Sequence, residues 1–130
     1  MGDIMKTIEY QIGNSAFTNR LTNDFDRLVT KQLGITIPLI TSVRLENDDD
    51  SKRIYVGKEI DLNSVHEDNY YIKKYDIDMG DLLDISSKGY NKACILNYKK
   101  YDLVIVGIDD TSEIVPDYYA LKKKINEFFN

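Results

Sequence analysis

The sequence has one cysteine, Cys94, one histidine, His66, and no tryptophan among its 130 residues. A lone cysteine excludes an internal disulfide, so the fold does not depend on an oxidising compartment. Conventional acid–base catalysis would have to pass through His66, because histidine is the side chain that normally titrates near neutral pH. These scarcities favour a cytoplasmic protein that is not an enzyme.

Long apolar runs are also missing. The run Leu103–Val106 is far shorter than the ~20 residues that cross a bilayer. Residues Met1 to Ile12 alternate polar and apolar, whereas a signal peptide has a basic start and a continuous apolar stretch. The sequence therefore predicts neither membrane insertion nor an N-terminal export signal.

Positive charge is in deficit, with 17 Lys and Arg against 22 Asp and Glu and a net charge of −5. Nucleic-acid binding relies on clustered Lys and Arg, so no direct nucleic-acid partner is expected. The acidity is concentrated between Glu46 and Asp84, where twelve acids face five bases. A basic protein is the partner that this distribution favours.

The hydrophobic fraction of 42% and the charged fraction of 30% are ordinary for a globular chain of this length. We expect one α+β domain over residues 1–130, because the length matches a single hydrophobic core. No repeat, linker or low-complexity segment divides the sequence.

Alternation predicts a first strand from Ile4 to Ile12. Apolar residues at spacings of three and four then predict a helix over 15–33, with Ser15 as a capping residue. Alternation returns in Ile35–Leu45 and Ile54–Leu62, which predicts an antiparallel hairpin with a possible bulge at Gly57.

The later segments are predicted by the same patterns. Tyr70–Ile77 is interpreted as a weak strand, and Met79–Ile85 as a short helical turn or an irregular segment. Two strands follow, and the second, 102–108, is expected in the middle of the sheet because Leu103–Val106 is apolar on both faces. A helix over 116–129 ends the fold, an antiparallel or mixed sheet of five to six strands packed against two helices.

The acidic stretch from Asp76 to Asp84 does not match a calcium loop, which needs a glycine at position six and a glutamate at position twelve. We predict no metal and no cofactor. An alternative is a small metal-dependent hydrolase or nuclease that uses Asp76, Asp78 and Asp81, or the pair Asp109–Asp110.

His66 and Cys94 are interpreted as structural or solvated residues. Ser64 and Glu67 lie beside His66 in sequence, but the members of a Ser-His-acid triad are brought together from separate elements. Cys94 has no second cysteine to pair with, and a buried free cysteine behaves as a small hydrophobe. No catalytic residue is predicted.

Ten tyrosines stand out in a chain without tryptophan, and several fall in polar segments beside acids. Tyrosine is enriched in interface hot spots because it offers a large contact area and a hydrogen-bonding tip. The sequence predicts a partner-binding surface composed of Asp48, Asp49, Asp50, Glu67, Asp68, Tyr70, Tyr71, Tyr75, Asp76, Asp78 and Asp81.

Such a surface is typical of an acidic protein-binding module. The concrete hypothesis is an inhibitor, immunity protein or antitoxin that neutralises a basic partner such as a nuclease toxin or another nucleic-acid enzyme. A self-associating phage or accessory structural protein is a further alternative.

Overall fold

The computed structural model describes residues 6–12, 15–20, 40–97 and 103–129. The strands are β1 (Thr7–Ile12), β2 (Ser15–Arg20), β3 (Ile40–Glu46), β4 (Ser51–Asp61), β5 (Lys92–Asn97), β6 (Leu103–Ile108) and β7 (Glu113–Val115). The helices are α1 (Tyr70–Tyr75), α2 (Met79–Ser87) and α3 (Tyr118–Phe129).

Six of these strands form an open antiparallel sheet in the order β2-β1-β3-β4-β5-β6. The short strand β7 pairs with β4 in parallel, so the sheet is mixed at that point. The predicted α+β class is confirmed, as are the strands from the regions around β1, β3, β4, β5 and β6. The described part of the chain has three helices where two were predicted.

The helix predicted over 15–33 is wrong at its start. Residues 15–20 form β2, which pairs antiparallel with β1 so that Ile12 faces Ser15. Gly13–Asn14, the two residues between them in sequence, are a pair typical of hairpin connections, and the same residues were interpreted as a helix start. The rest of the predicted helix, 21–33, lies outside the described residues, as does the start of the strand predicted from Ile35.

The strand predicted over Tyr70–Ile77 is a helix instead. The Oδ1 atom of Asn69 accepts hydrogen bonds from the backbone amides of Tyr71 at 2.9 Å and Ile72 at 3.3 Å, which caps α1. This local cap, with Ile72 buried beneath the helix, overrides the strand preference of tyrosine. The helical turn predicted over Met79–Ile85 is confirmed as α2, and the C-terminal helix is confirmed as α3.

Strand β4 changes partner along its length of 11 residues. Its first part pairs with β3 and β7, and from Gly57 onward it pairs with β5. A Cβ atom on Gly57 would overlap the carbonyl oxygen of Ile95 and lie 2.7 Å from the Sγ of Cys94. Gly57 was predicted as a possible bulge, and it is the residue that allows the close approach of β5.

Buried residues form three clusters on the two sides of this junction. The α3 core comprises Ile8, Tyr10, Ile40, Val43, Leu45, Ile54, Val56, Val115, Leu121 and Ile125. The α1–α2 core comprises Ile60, Leu62, Ile72, Ile77, Leu82, Ala93 and Ile95. The Cys94 core comprises Cys94, Leu96 and Ile108, and lies on the face of β5 and β6 opposite the α1–α2 core because side chains alternate along a strand.

The face of β1, β3 and β4 opposite the α3 core is polar. Glu9, Arg44 and Arg53 face one another across the three strands. The Glu9 carboxylate accepts hydrogen bonds from Arg44 at 3.2 Å and from Arg53 at 2.9 Å. The Arg53 guanidinium also donates to the Ser42 hydroxyl at 2.8 Å. We name Glu9, Ser42, Arg44 and Arg53 the ionic ladder.

The position predicted for β6 is wrong, because in the order of the described strands β6 lies at the edge of the sheet beside β5 and not in its middle. Its apolar pattern has a different cause. Ile105 packs against the α1–α2 core on one face, while Val106 and Ile108 pack in or against the Cys94 core on the other. The apolar residues on both faces of β6 therefore reflect a hydrophobic cluster on each face. They do not show that β6 has a neighbouring strand on each side.

The last turn of α3 is tied to the start of β1. The Nζ of Lys6 donates to the backbone carbonyl of Phe128 at 2.9 Å and lies 5.5 Å from the centre of its ring. At the other end of the helix, the Tyr118 hydroxyl donates to the carbonyl of Ile40 at 2.6 Å. Both contacts join α3 to the sheet beneath it.

Candidate functional site

The predicted partner-binding residues fall into two groups at opposite ends of β4. The hairpin acids, Asp48, Asp49 and Asp50, lie in the turn before Ser51. The other candidates follow Asp61, and ten residue steps at about 3.3 Å each put the two ends of an extended β4 about 33 Å apart. The structure therefore does not bring the hairpin acids to the remaining candidates.

The hairpin acids are exposed at the tip of a closed turn. The Asn47 amide donates to the carbonyl of Asp50 at 2.9 Å, and the Asp49 amide donates to the Asn47 side chain at 3.1 Å. The Asp50 carboxylate accepts from the Ser51 amide at 2.9 Å. These hydrogen bonds close the turn, and the exposed carboxylates of the hairpin acids remain largely in contact with solvent.

The remaining eight candidates lie together on α1, α2 and the segment before them. We name these residues the α1–α2 surface: Glu67, Asp68, Tyr70, Tyr71, Tyr75, Asp76, Asp78 and Asp81. Every one of its carboxylate residues is exposed. These eight residues are the part of the predicted surface that lies on neighbouring elements.

Three tyrosine rings of α1 form a chain of contacts, in which the middle ring touches the other two. Tyr70 meets Tyr71 edge to face, with ring centres 5.3 Å apart, and Tyr71 stacks on Tyr75 at 6.4 Å. Tyr71 and Tyr75 are half-buried against the α1–α2 core, whereas 67% of Tyr70 is exposed. The two inner rings thus anchor α1 to the sheet and support an outer ring that is available for contact.

Basic residues also belong to this helix, although the predicted site omitted them. The Nζ of Lys74 lies 5.6 Å from the ring centre of Tyr70 and 5.5 Å from that of Tyr75. Lys73 forms an exposed ion pair with Asp68 at 3.3 Å. The signal was present in the sequence, since Lys73 and Lys74 fall within one helical turn of the tyrosines.

Three of the acids in this surface have structural roles. Asp76 ends α1 with a φ of 52°, in the left-handed region that Asp, Asn and Gly tolerate best. The Asp78 carboxylate accepts from the Gly80 amide at 2.8 Å and caps α2. Asp81 lies in the first turn of α2, where a negative charge is favourable. The acidic run is therefore partly explained by the turn between two helices.

Leu83 was missed by the sequence interpretation, and 61% of it is exposed on α2. Its neighbour Leu82 is fully buried. Adjacent residues on a helix point about 100° apart, so Leu83 points away from the side on which α2 buries Leu82. The two consecutive leucines alone did not show which of them is on the surface.

The residues around His66 do not form a triad in the structure. The hydroxyl of Ser64 donates to the carboxylate of Asp61 at 3.1 Å, and His66 is exposed in the loop before α1. Cys94 is fully buried, and burial raises the pKa of its thiol to about 12. The thiol is therefore protonated at neutral pH and packs as an apolar group.

The acids proposed for a metal-dependent enzyme show no common ion site. In residues 6–12, 15–20, 40–97 and 103–129, no three His, Cys, Asp or Glu side chains converge as metal ligands. Asp109 instead accepts from the hydroxyl of Thr111 at 2.7 Å and from its amide at 2.9 Å. These bonds from Thr111, with others from Ser112, lower the pKa of the Asp109 carboxyl. Asp109 thus closes the turn after β6.

Comparisons of the chain with protein-family models, with curated protein sequences and with solved structures found no match. Among the described residues, no helix has the length and apolar character needed to cross a membrane.

Proposed function

We propose that the protein is an acidic protein-binding module that acts as an inhibitor or immunity-type protein. Its partner would be a basic protein, such as a nuclease toxin or another nucleic-acid enzyme. The observation that carries the proposal is the α1–α2 surface, where two packed rings support the exposed ring of Tyr70 and all five acidic residues are exposed.

Each part of this surface has a physical use in binding. The carboxylates create a regional negative field that speeds the encounter with a basic partner. Tyr70 and Leu83 offer exposed apolar area, and their helices are held by the buried residues Ile72 and Leu82. A rigid support reduces the entropy lost on binding, so these side chains are suited to slow the release of a partner.

The hairpin acids provide a matched control for the electrostatic part. The triple variant D76N/D78N/D81N and the triple variant D48N/D49N/D50N remove the same charge at the two ends of β4. Asparagine is tolerated at the left-handed position of Asp76 and is a good helix cap at Asp78, so folding is preserved. We expect the first variant to lower the association rate about tenfold and the second to change it by about threefold or less.

The partner is first captured from a lysate of the source organism on immobilised wild-type chain and then purified. Surface plasmon resonance at low and high salt gives the two rate constants. Y70A is expected to raise the dissociation rate about 30-fold, the effect of losing a binding hot spot, while Y119A on α3 leaves it within about twofold. Tyr119 is a suitable control because 77% of it is exposed.

Two results would contradict the proposal. One is that no protein is retained on the wild-type chain and competed off by soluble chain at low salt. The other is that a captured protein binds the D76N/D78N/D81N and Y70A variants as well as it binds the wild type.

A further inference from the structure

Among the residues that the structure describes, the outer edge of β6 has no charged residue, proline, bulge or further strand to protect it. Natural edge strands are shortened, bulged, covered or supplied with Lys or Pro. Leu103–Ile108 contains no charged residue and no proline, and it pairs with β5 through six consecutive residues without a register shift. No described strand lies on its other side. The edge therefore presents an uncharged row of backbone donors and acceptors.

Side chains beside this edge are apolar on both faces of the sheet. On the face of the Cys94 core, 39% of Val104 is exposed. On the other face, the ring of Tyr90 lies against Gly107, where a Cβ atom would approach Tyr90 Cδ2 to 2.5 Å, and 36% of Tyr90 is exposed. A strand added here would meet apolar surface on both sides, so it would itself have to be apolar on both sides.

We infer that β6 is a homotypic interaction surface, which pairs antiparallel with β6 of a second copy of this chain about a two-fold axis. Strand β6 itself has the uncharged, two-sided apolar pattern that such an added strand needs. The other edge strand, β2, ends in Asn19 and Arg20 and does not have it. Two copies that each carry a charge of −5 repel, and an uncharged strand is where they can approach without opposing carboxylates directly.

The inferred dimer is weak and depends on concentration. Pairing along six residues buries less than the roughly 1,200 Å² at which standard protein interfaces begin. The surface is distinct from the α1–α2 surface, so the inference stands or falls independently of the proposed partner. A dimer of this kind leaves the Tyr70 ring and its neighbouring carboxylates on a different element.

The test measures the mass of the purified full chain by light scattering over about a hundredfold range of concentration. The wild type is expected to rise from 15.0 kDa toward twice that mass. V104K puts a charge beside the edge without removing a fully buried side chain, and it is expected to shift the midpoint to at least about tenfold higher concentration. Y119K, with the same change of charge on α3, is expected to match the wild type.

Hydrogen exchange on the wild type tests the inference without any variant. Amides of β6 that exchange quickly in a dilute sample should become protected in a concentrated one, while those of α1 should not change. The inference is overturned if the mass stays at that of one chain throughout, or if it grows without limit as in head-to-tail pairing of β6 with β2. Equal association of V104K and the wild type, or unchanged exchange in β6, would overturn it as well.

Discussion

The two parts of the sheet on either side of Gly57 bury their surfaces differently. Before Gly57, the sheet has the α3 core on one face and the ionic ladder on the other. After Gly57, it has the α1–α2 core on one face and the Cys94 core on the opposite one. The first part has one polar face, whereas the second has a cluster of buried apolar residues on each face.

This difference explains which strands could be predicted from the sequence pattern. Strands β1, β3 and β4 were predicted because polar residues such as Glu9 and Arg44 alternate with buried ones. In β6 the alternation is absent, and the apolar pattern gives no information about how many strands lie beside it. A strand that buries one face can be recognised from the alternation of its sequence. A strand that buries both faces does not show its place in the sheet by its sequence pattern.

The largest expected effect comes from removing buried volume in either part. I125A empties a position under α3, and L82A empties a position under α2; both side chains are fully buried. Each substitution is expected to lower the free energy of unfolding by about 3 kcal/mol, measured by urea titration.

Hydrogen exchange on the same two variants sharpens the comparison. If the two parts open separately, I125A should weaken amide protection in β1 and β3, and L82A should weaken it in β5 and β6. A uniform loss of protection in both variants would show that the parts unfold as one cooperative unit.

The junction itself is broken by G57A. The added methyl group overlaps the carbonyl oxygen of Ile95, so β4 and β5 must move apart, and we expect a loss of about 1–3 kcal/mol in urea unfolding. The control is G80A on α2, where the nearest atom to a Cβ is Asp78 Oδ1 at 3.2 Å and the site is exposed. A change within about 0.5 kcal/mol is expected for G80A. Similar losses in both variants would contradict the close approach at Gly57.

A smaller effect is expected from the ionic ladder. E9Q removes the charge that Arg44 and Arg53 share, and these contacts are only partly exposed. We expect a loss of about 1 kcal/mol that shrinks at high salt, because ion pairs near a surface are screened. E59Q, whose exposed partner Lys92 lies 3.9 Å away, should have no measurable effect. An equal effect of both substitutions would mean that the ladder is not a coupled network.

The smallest expected effect is a dependence of stability on pH through Glu113 of β7. Hydrogen bonds from Lys52 of β4 and Lys124 of α3, at 2.7 and 2.9 Å, hold the pKa of Glu113 below its usual value of 4.5. A lowered pKa stabilises the folded state above the usual value, and this stability is lost as the pH falls through the lowered one.

Unfolding of the wild type and E113Q at neutral pH and near pH 3 tests this expectation. The wild type should lose more stability on acidification than E113Q, by less than about 1 kcal/mol because Glu113 is partly exposed. Identical losses would show that the two lysines do not stabilise the charged form of Glu113.

The candidate surface was predicted less completely than the fold. Its residues from Glu67 to Asp81 lie on neighbouring elements because they are close in sequence, and their role in binding stays a prediction. The hairpin acids were added on charge alone, and the length of β4 separates them from the rest. Charge composition carries no information on distance, so only the path of the strand could divide the acids into two groups.

The bond from Lys6 to the carbonyl of Phe128 has a practical consequence for protein engineering. It holds Lys6 and Phe128 within the reach of one side chain. A short linker between these two residues would therefore close the chain, and new termini could be opened at the exposed tip between Asp48 and Asp49. Circular permutants are tolerated best at such sites, so this rearranged chain should keep the sheet and leave α1 and α2 unaltered.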